Sequence, residues 1–229
     1  MHVLLNGYIS NDFARKAEIH ATNAAKKSED KHLGYDDSMK LYNALFNKLS
    51  SNTTTFHLIL LGLVTGARYG ELVGLTTDSF NLKENTLSIT RSWYYQGGSG
   101  FGPLKNAQSE RTLSIDLKVM EQFAGLVEES RHHPHGLIFY RPTLIKTVTN
   151  KGANDVFRTI LKNLKIDSIT MHGLRNTHAS VLLYKGANIH SVSKRLGHAD
   201  IQTTLDYYAH VLKVMGERNE AIQVKIYAS

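Results

Sequence analysis

A single arginine lies between two glycines at the junction of two candidate helices, in the segment TGARYGEL (residues 65–72). Glycine permits a tight turn and a close approach of the backbone, so Arg68 can project into a cleft. Glu71 follows one helical turn later, and on a helix the two side chains share a face. An isolated Arg-x-x-Glu is more often a surface ion pair, so this segment indicates chemistry only together with other residues.

A histidine and an arginine three residues apart form a second candidate cluster. His172 and Arg175 lie on one face of a predicted helix, for which Thr170 is the predicted N-cap. A guanidinium group can donate two hydrogen bonds to phosphate oxygens, and an imidazole can transfer a proton near neutral pH. The pair therefore suits a phosphate, although an isolated His-x-x-Arg is usually structural. We interpret His178, on the same helix, as a packing or hydrogen-bonding residue.

The third cluster is LGHAD (residues 196–200) followed by TTLDYYAHV (residues 203–211). A helix, a glycine turn and a second helix also describe a helix-turn-helix that binds DNA, and this alternative stays open. The adjacent Tyr207 and Tyr208 point about 100° apart on a helix, so only one of them can face a given group.

Most of the predicted secondary structure around these residues is helical. Strand-like alternation of apolar and polar residues occurs at 86–90 and 112–115, around the glycine-rich turn 96–102, and residues 137–139 form a short buried segment. Helical patterns cover about residues 35–49, 54–65, 69–75, 117–130, 153–164, 171–185, 189–196, 201–211 and 214–227. The predicted fold is mainly α with a small antiparallel β-sheet (α+β), and its compact domain begins near Leu33.

Composition narrows the class of partner. The chain has 229 residues and a formal net charge of +7, which favours a polyanion such as DNA or RNA. It has no cysteine, so disulfides, thiolate nucleophiles and cysteine-based zinc sites are excluded. No apolar run approaches the roughly 20 residues of a membrane helix. These features fit a protein of the cytosol.

Taken together and in this order, the three clusters resemble the tyrosine recombinase (phage integrase) family. The resemblance covers residues 33–212 and includes Thr-Gly-x-Arg-x-x-Glu-Leu, His-x-x-Arg, Leu-Gly-His and a tyrosine ten residues later. The segment PLKN (residues 103–106) and SERTL (residues 109–113) is similar to the family's strand turn that carries a catalytic lysine, which corresponds to Lys105. Each motif is weak singly, and the ordered set is specific.

The resemblance implies a role for each matching residue. Arg68 and Arg175 would bind the scissile phosphate, and a tyrosine hydroxyl would attack phosphorus to form a 3′-phosphotyrosine link. Lys105 would protonate the departing 5′-oxygen, and His172 would act as general base. His198 would donate a hydrogen bond to the phosphate, and Glu71 would orient a neighbour. No metal ion, ATP or other cofactor is implied.

The nucleophile is assigned by alignment with the family's Asp-x-Tyr-x-His-Val pattern. Asp206 and His210 bring Tyr208 into register with that pattern, and we therefore prefer Tyr208 to Tyr207. Both spacings from His198 occur in the family.

The resemblance also implies partners outside this domain. Residues 1–32 would be the end of an absent N-terminal DNA-clamping domain followed by a basic linker, and residues 213–229 a tail that packs on a neighbouring protomer or on its own domain. The expected partners are double-stranded DNA and, in a synaptic tetramer, other protomers, in the cytoplasm of a bacterial host. A type IB topoisomerase and a non-catalytic helix-turn-helix protein remain the alternative functions.

Overall fold

The computed structural model describes residues 32–50, 52–94, 100–141, 146–202 and 204–205. The interpretations of residues 1–31, of most of the glycine-rich turn and of the C-terminal tail lie outside the described residues. So do Tyr207, Tyr208 and most of the helix predicted at 201–211.

The described part of the chain is mainly α-helical with small antiparallel sheets, which confirms the predicted fold class. The helices are α1 (Tyr35–Phe46), α2 (Thr54–Thr65), α3 (Tyr69–Val73), α4 (Leu117–Glu121), α5 (Ala124–Ser130), α6 (Asn150–Asn163), α7 (Met171–Tyr184) and α8 (Ile189–Leu196). The strands are β1 (Phe80–Asn81), β2 (Thr86–Ile89), β3 (Ser92–Tyr94), β4 (Gly100–Gly102), β5 (Arg111–Ser114), β6 (Tyr140–Arg141) and β7 (Lys146–Thr147). Among the described residues, none of these helices is long and apolar enough to cross a membrane.

Helix α2 runs through the centre of the main hydrophobic core. Its residues 57–63 are all buried, and a helix that is apolar on nearly every face is stable only when it is surrounded by other elements. Helix α6 contributes a stripe at helical spacing, Ala153, Phe157 and Leu161, and all three side chains are fully buried. Truncation of such a buried aromatic to alanine typically costs about 3–5 kcal/mol.

The small sheet has the order β1-β2-β5, and the predicted antiparallel pairing of the two longer strands is confirmed. Leu87 pairs with Leu113 and both are buried, whereas Ser88 and Thr112 share a hydrogen bond of 3.0 Å on the exposed face. Because side chains alternate along a strand, Arg111 lies on the same inward face as Leu113. The sheet therefore directs an arginine toward the core. Strands β3 and β4 form a separate hairpin.

The single helix predicted for residues 117–130 is wrong, because α4 ends at Glu121 and α5 begins at Ala124. The side chain of Phe123 fills the core at the break and is fully buried. The Gln122 carbonyl oxygen lies 3.2 Å from Nε2 of His57 rather than continuing the helical ladder. Tertiary contacts thus interrupt a continuous helical pattern.

Helix α8 packs on α7 through a small separate cluster of four buried side chains: Ala179, Leu183, Val192 and Leu196. The Asn188 side chain caps α8 by accepting a hydrogen bond from the backbone N–H of His190. Gly197 ends the helix with φ of +70°, a left-handed conformation that favours glycine. This packing and this turn fix the position of His198 relative to α7.

Candidate active site

Arg68 is presented by the turn between α2 and α3. Gly66 ends α2 with φ of +65°, and a Cβ atom there would lie 2.5 Å from Cδ2 of Leu196, so only glycine fits. Glu71 then holds Arg68 in two ways. Its Oε2 accepts the backbone N–H of Arg68 at 2.9 Å, and its Oε1 accepts from Nη1 of Arg68 at 2.8 Å. Both oxygens of Glu71 therefore hold Arg68 in this position.

The Arg68 guanidinium also contacts two loops that come from distant parts of the chain. Its Nη1 donates to Oγ of Ser109 at 3.0 Å, and its Nη2 donates to the carbonyl oxygen of Gly197 at 3.3 Å. The arginine thus lies where α3, the turn before β5 and the end of α8 meet.

Glu71 is a buried carboxylate that stays charged. Burial alone would raise the pKa of Glu71, but the charge and hydrogen bond of Arg111 and the bonds from Arg68 outweigh it and leave this pKa below its ordinary value. Nη2 of Arg111 donates to Oε2 of Glu71 at 2.9 Å, and both side chains are almost fully buried. Glu71 is therefore shared between two arginines.

Helix α7 supplies the second arginine. The predicted cap is present, since the Thr170 hydroxyl accepts from the backbone N–H of Gly173 at 3.4 Å, and Asn154 Oδ1 accepts from the N–H of Met171 at 2.9 Å. Arg175 is buried and donates from Nη1 to the carbonyl oxygen of Gly66 at 2.8 Å. His172 lies one turn earlier and is exposed.

One cavity of about 490 Å³ brings most of the predicted residues together. Arg68, Glu71, Lys105, His172 and Arg175 all line it. Lys105 is exposed and follows β4, and the strand turn places it at the wall of this cavity. A larger cavity of about 850 Å³ at the start of α2 contains none of the predicted residues. We therefore take the smaller cavity as the candidate active site.

His198 lies beside this cavity and lines a neighbouring groove. Burial, followed by the positive charges of Arg175, Arg68 and Arg111, lowers the pKa of His198 to about 4. Its Nδ1 lies 2.8 Å from the hydroxyl of the buried Thr204. The ring is therefore neutral at physiological pH and surrounded by the arginines of the cavity.

His178 is a structural residue, as its sequence context predicts. It is buried, its Nδ1 lies 2.9 Å from the carbonyl oxygen of Leu63, and its Nε2 lies 3.0 Å from Nε of Arg195. Burial and the charge of Arg195 lower its pKa to about 3. The ring stays neutral, with Nδ1–H donating to Leu63 and Nε2 accepting from Arg195.

Sequence reasoning missed several residues of the site. Arg111 and Ser109 bond to the Glu71–Arg68 pair, Asn150 and Asn154 line the cavity, and Thr204 contacts His198. A signal for Arg111 was present, because it is an arginine two residues before the buried Leu113 in a predicted strand and so shares its inward face. Among the described residues, no group of three or more His, Asp or Glu side chains is placed to hold a metal ion.

Comparison with known proteins identifies the class of protein that has this fold and site. The model of the phage integrase family matches residues 32–214, and the chain belongs to that family. It is 28% identical over 172 residues to the integrase of Staphylococcus phage L54a, covering 69% of this chain and 48% of that protein. It is 29% identical over 150 residues to tyrosine recombinase XerD of Halalkalibacterium halodurans, covering 65% and 46%.

A solved structure shares the fold. The Tn1549 transposon integrase in complex with transposon right end DNA superposes with a TM-score of 0.66 at 16% identity, covering 84% of this chain and 67% of that chain. The chain spans about half the length of the curated relatives it matches.

Proposed function

We propose that this chain is the catalytic domain of a site-specific DNA recombinase that cuts and rejoins double-stranded DNA through a 3′-phosphotyrosine intermediate. The observation that carries the proposal is the single cavity lined by Arg68, Lys105, His172 and Arg175, with the neutral His198 beside it. The DNA-bound Tn1549 transposon integrase, which has the same fold, supports a DNA substrate.

The arrangement suits phosphoryl transfer from a DNA diester. Negative charge grows on the non-bridging oxygens as the nucleophile attacks phosphorus, and fixed cationic donors stabilise that charge without reorganising. Arg68 and Arg175 are fixed in this way, by Glu71 and by the carbonyl oxygen of Gly66. The guanidinium forks of the two arginines would bind the phosphate.

Three other side chains would move or hold protons. Lys105, at the cavity wall, would protonate the 5′-oxygen that leaves, and the exposed His172 would accept the proton of the tyrosine. His198 is neutral, so it would donate one hydrogen bond to a phosphate oxygen without transferring its proton. The phosphotyrosine bond retains the energy of the diester, so rejoining requires no ATP.

The attacking residue in this proposal is Tyr208, with Tyr207 as the alternative. In the family to which the chain belongs, the register of Asp206 and His210 selects Tyr208. The wider assembly is also proposed: an N-terminal clamp before residue 33, a synaptic tetramer in which residues 213–229 contact a neighbouring protomer, and a cytoplasmic location in a bacterial host.

The test is covalent trapping on a duplex that carries a nick next to the scissile phosphate. We expect the chain to form a protein–DNA adduct that resists denaturation, Tyr208→Phe to abolish it, and Tyr207→Phe to retain it. An adduct that survives Tyr208→Phe and is lost with Tyr207→Phe would reassign the nucleophile. Absence of any adduct would favour a non-catalytic DNA-binding protein.

A second assay separates recombination from DNA relaxation. A recombinase joins two duplexes through a four-way junction, whereas a type IB topoisomerase relaxes one duplex. We expect junctions with two duplexes that carry the same site, and deletion of residues 217–229 should abolish them while nicking persists. Relaxation of supercoiled DNA without junctions would support the topoisomerase alternative.

A further inference from the structure

Arg111 is a buried cation that joins three parts of the candidate site. Its side chain is 6% exposed. Nη2 donates to Oε2 of Glu71 at 2.9 Å, Nε donates to the carbonyl oxygen of Arg195 at 2.8 Å, and Nη1 donates to the carbonyl oxygen of Ser109 at 2.6 Å. The guanidinium group thus connects α3, the end of α8 and the turn before β5.

The first connection affects Arg68. Glu71 is shared, since one of its oxygens accepts from the side chain of Arg68 and the other accepts from Arg111 and from the backbone of Arg68. If an uncharged side chain replaced Arg111, the buried carboxylate of Glu71 would have Arg68 as its remaining ion-pair partner in this cluster. A buried charge that loses a partner is costly, so Glu71 would draw the Arg68 guanidinium inward and away from the cavity.

The second connection affects His198. Arg195 lies three residues before His198, and its carbonyl oxygen is held by Arg111. Close packing adds to this bond, because a Cβ atom on Gly197 would lie 3.2 Å from Nη1 of Arg111 and 2.9 Å from the carbonyl oxygen of Gln108. Arg111 therefore helps to hold the turn at the end of α8 that places the imidazole.

We propose that Arg111 is a positioning residue for DNA cleavage, which holds Arg68 through Glu71 and His198 through the end of α8. The proposal rests on the recombinase function proposed above. Arg111 is buried with three donors engaged by protein oxygens, so it acts through its neighbours and does not bind the phosphate itself. Displacement of catalytic groups by about 1 Å can cost on the order of 100-fold in rate.

The test is single-turnover cleavage of the nicked duplex at saturating DNA. We expect Arg111→Met to lower the rate about 100-fold, which is the order of magnitude given by misplaced catalytic groups, while Kd for DNA stays within about twofold, as it would for a residue without DNA contact. Arg131→Met is the matched control, because Arg131 is an exposed arginine paired with Glu128, and it should leave the rate unchanged.

A double variant separates positioning from a merely structural role. Adding Glu71→Gln to Arg111→Met removes the charge that would displace Arg68. We expect the double variant to cleave DNA about tenfold faster than Arg111→Met, which restores part of the rate lost by misplacement. A merely structural role predicts that the second change lowers the rate further. Circular dichroism establishes which variants fold. If Arg111→Met does not fold, Arg111→Lys replaces it, because lysine keeps the charge but lacks the fork.

An NMR measurement that does not require cleavage tests the role of Arg111 separately from the proposed recombinase function. The NMR signal of the His198 ring should shift in Arg111→Met, whereas that of the exposed His190, in the first turn of α8, should not. If the wild-type chain forms no adduct, the proposed function is wrong and the His198 signal still tests Arg111. An unmoved His198 signal, or cleavage by Arg111→Met within threefold of the wild-type rate, would overturn the proposal.

Discussion

Nη1 of Arg175 donates a 2.8 Å hydrogen bond to the carbonyl oxygen of Gly66, two residues before Arg68. The turn that presents one arginine of the cavity therefore also fixes the other. Gly66 adopts a left-handed conformation at this point and lies against Leu196, the last residue of α8. The geometry of the site therefore depends on the close fit of Gly66 where α2, α7 and α8 meet.

The first prediction concerns this glycine. Gly66→Ala should lower the free energy of unfolding by about 1–2 kcal/mol for the left-handed conformation and about 1–3 kcal/mol for the contact with Leu196. Urea unfolding measures the change. Gly186→Ala is the matched control, because Gly186 also has positive φ but a Cβ there meets nothing within 4 Å. Equal losses in the two variants would contradict close packing at Gly66.

The second prediction concerns the hydroxyl group that faces His198. In a neutral imidazole one nitrogen donates and the other accepts, so a Thr204 hydroxyl that donates to Nδ1 leaves the proton on Nε2 for the phosphate. Thr204→Val should reduce single-turnover cleavage about tenfold, the equivalent of one hydrogen bond. Thr204→Ser should restore the rate. The exposed Thr159→Val is the control, and a full rate in Thr204→Val would show that this hydroxyl does not set the tautomer.

The third prediction is a dependence of stability on pH. His178 and His198 have folded-state pKa values of about 3 and about 4, below the ordinary value of 6.5. The unfolded chain therefore binds more protons below pH 6.5, and folding stability falls as the pH decreases. Each histidine contributes a slope of about 1.4 kcal/mol per pH unit from about pH 6 downward.

Urea unfolding between pH 6 and pH 5 measures this slope, and His178→Asn isolates one contribution. The variant keeps a donor toward Leu63 but lacks a group that titrates, so its slope should be about 1.4 kcal/mol per pH unit shallower than that of the wild type. An unchanged slope would mean that His178 is protonated in the folded chain.

The fourth prediction concerns the affinity of the chain for DNA. In the proposed function the arginine and lysine groups of the cavity contact a phosphate backbone, so binding by this chain should be weak and should decrease steeply with salt. The slope of log affinity against log salt concentration should change by about 0.9 for each phosphate neutralised. Fluorescence anisotropy across a salt series measures the slope. Nanomolar binding that discriminates between sequences, or binding that is insensitive to salt, would contradict a phosphate-directed site.

Much of the fold and of the candidate site could be predicted from the sequence, for reasons that particular residues illustrate. Helix α8 has the bounds predicted for it, because the glycine turn at Gly197 and the apolar pair Val192 and Leu196 specify its end and its buried face. Arg68, His172 and Arg175 could be singled out by their spacing at predicted helices, whereas Lys105 was assigned through the resemblance to the phage integrase family.

Contacts between distant segments could not be predicted in this way. The break at Gln122 depends on a histidine 65 residues earlier, and the bond from Arg111 to Arg195 joins positions 84 residues apart. Local pattern contains no information about such pairs. Arg111 was therefore missed, although its phase in the strand indicated an inward direction.

Mass spectrometry of the trapped protein–DNA adduct, after digestion with protease and nuclease, tests the proposed tyrosine chemistry most directly. We expect one modified peptide, in which Tyr208 carries a nucleotide through its 3′-phosphate. We also expect Arg175→Lys to reduce the yield of this peptide by on the order of 100-fold through loss of the guanidinium fork. A link through a 5′-phosphate, attachment to a residue other than the two tyrosines, or an undiminished yield in Arg175→Lys would contradict the proposed chemistry.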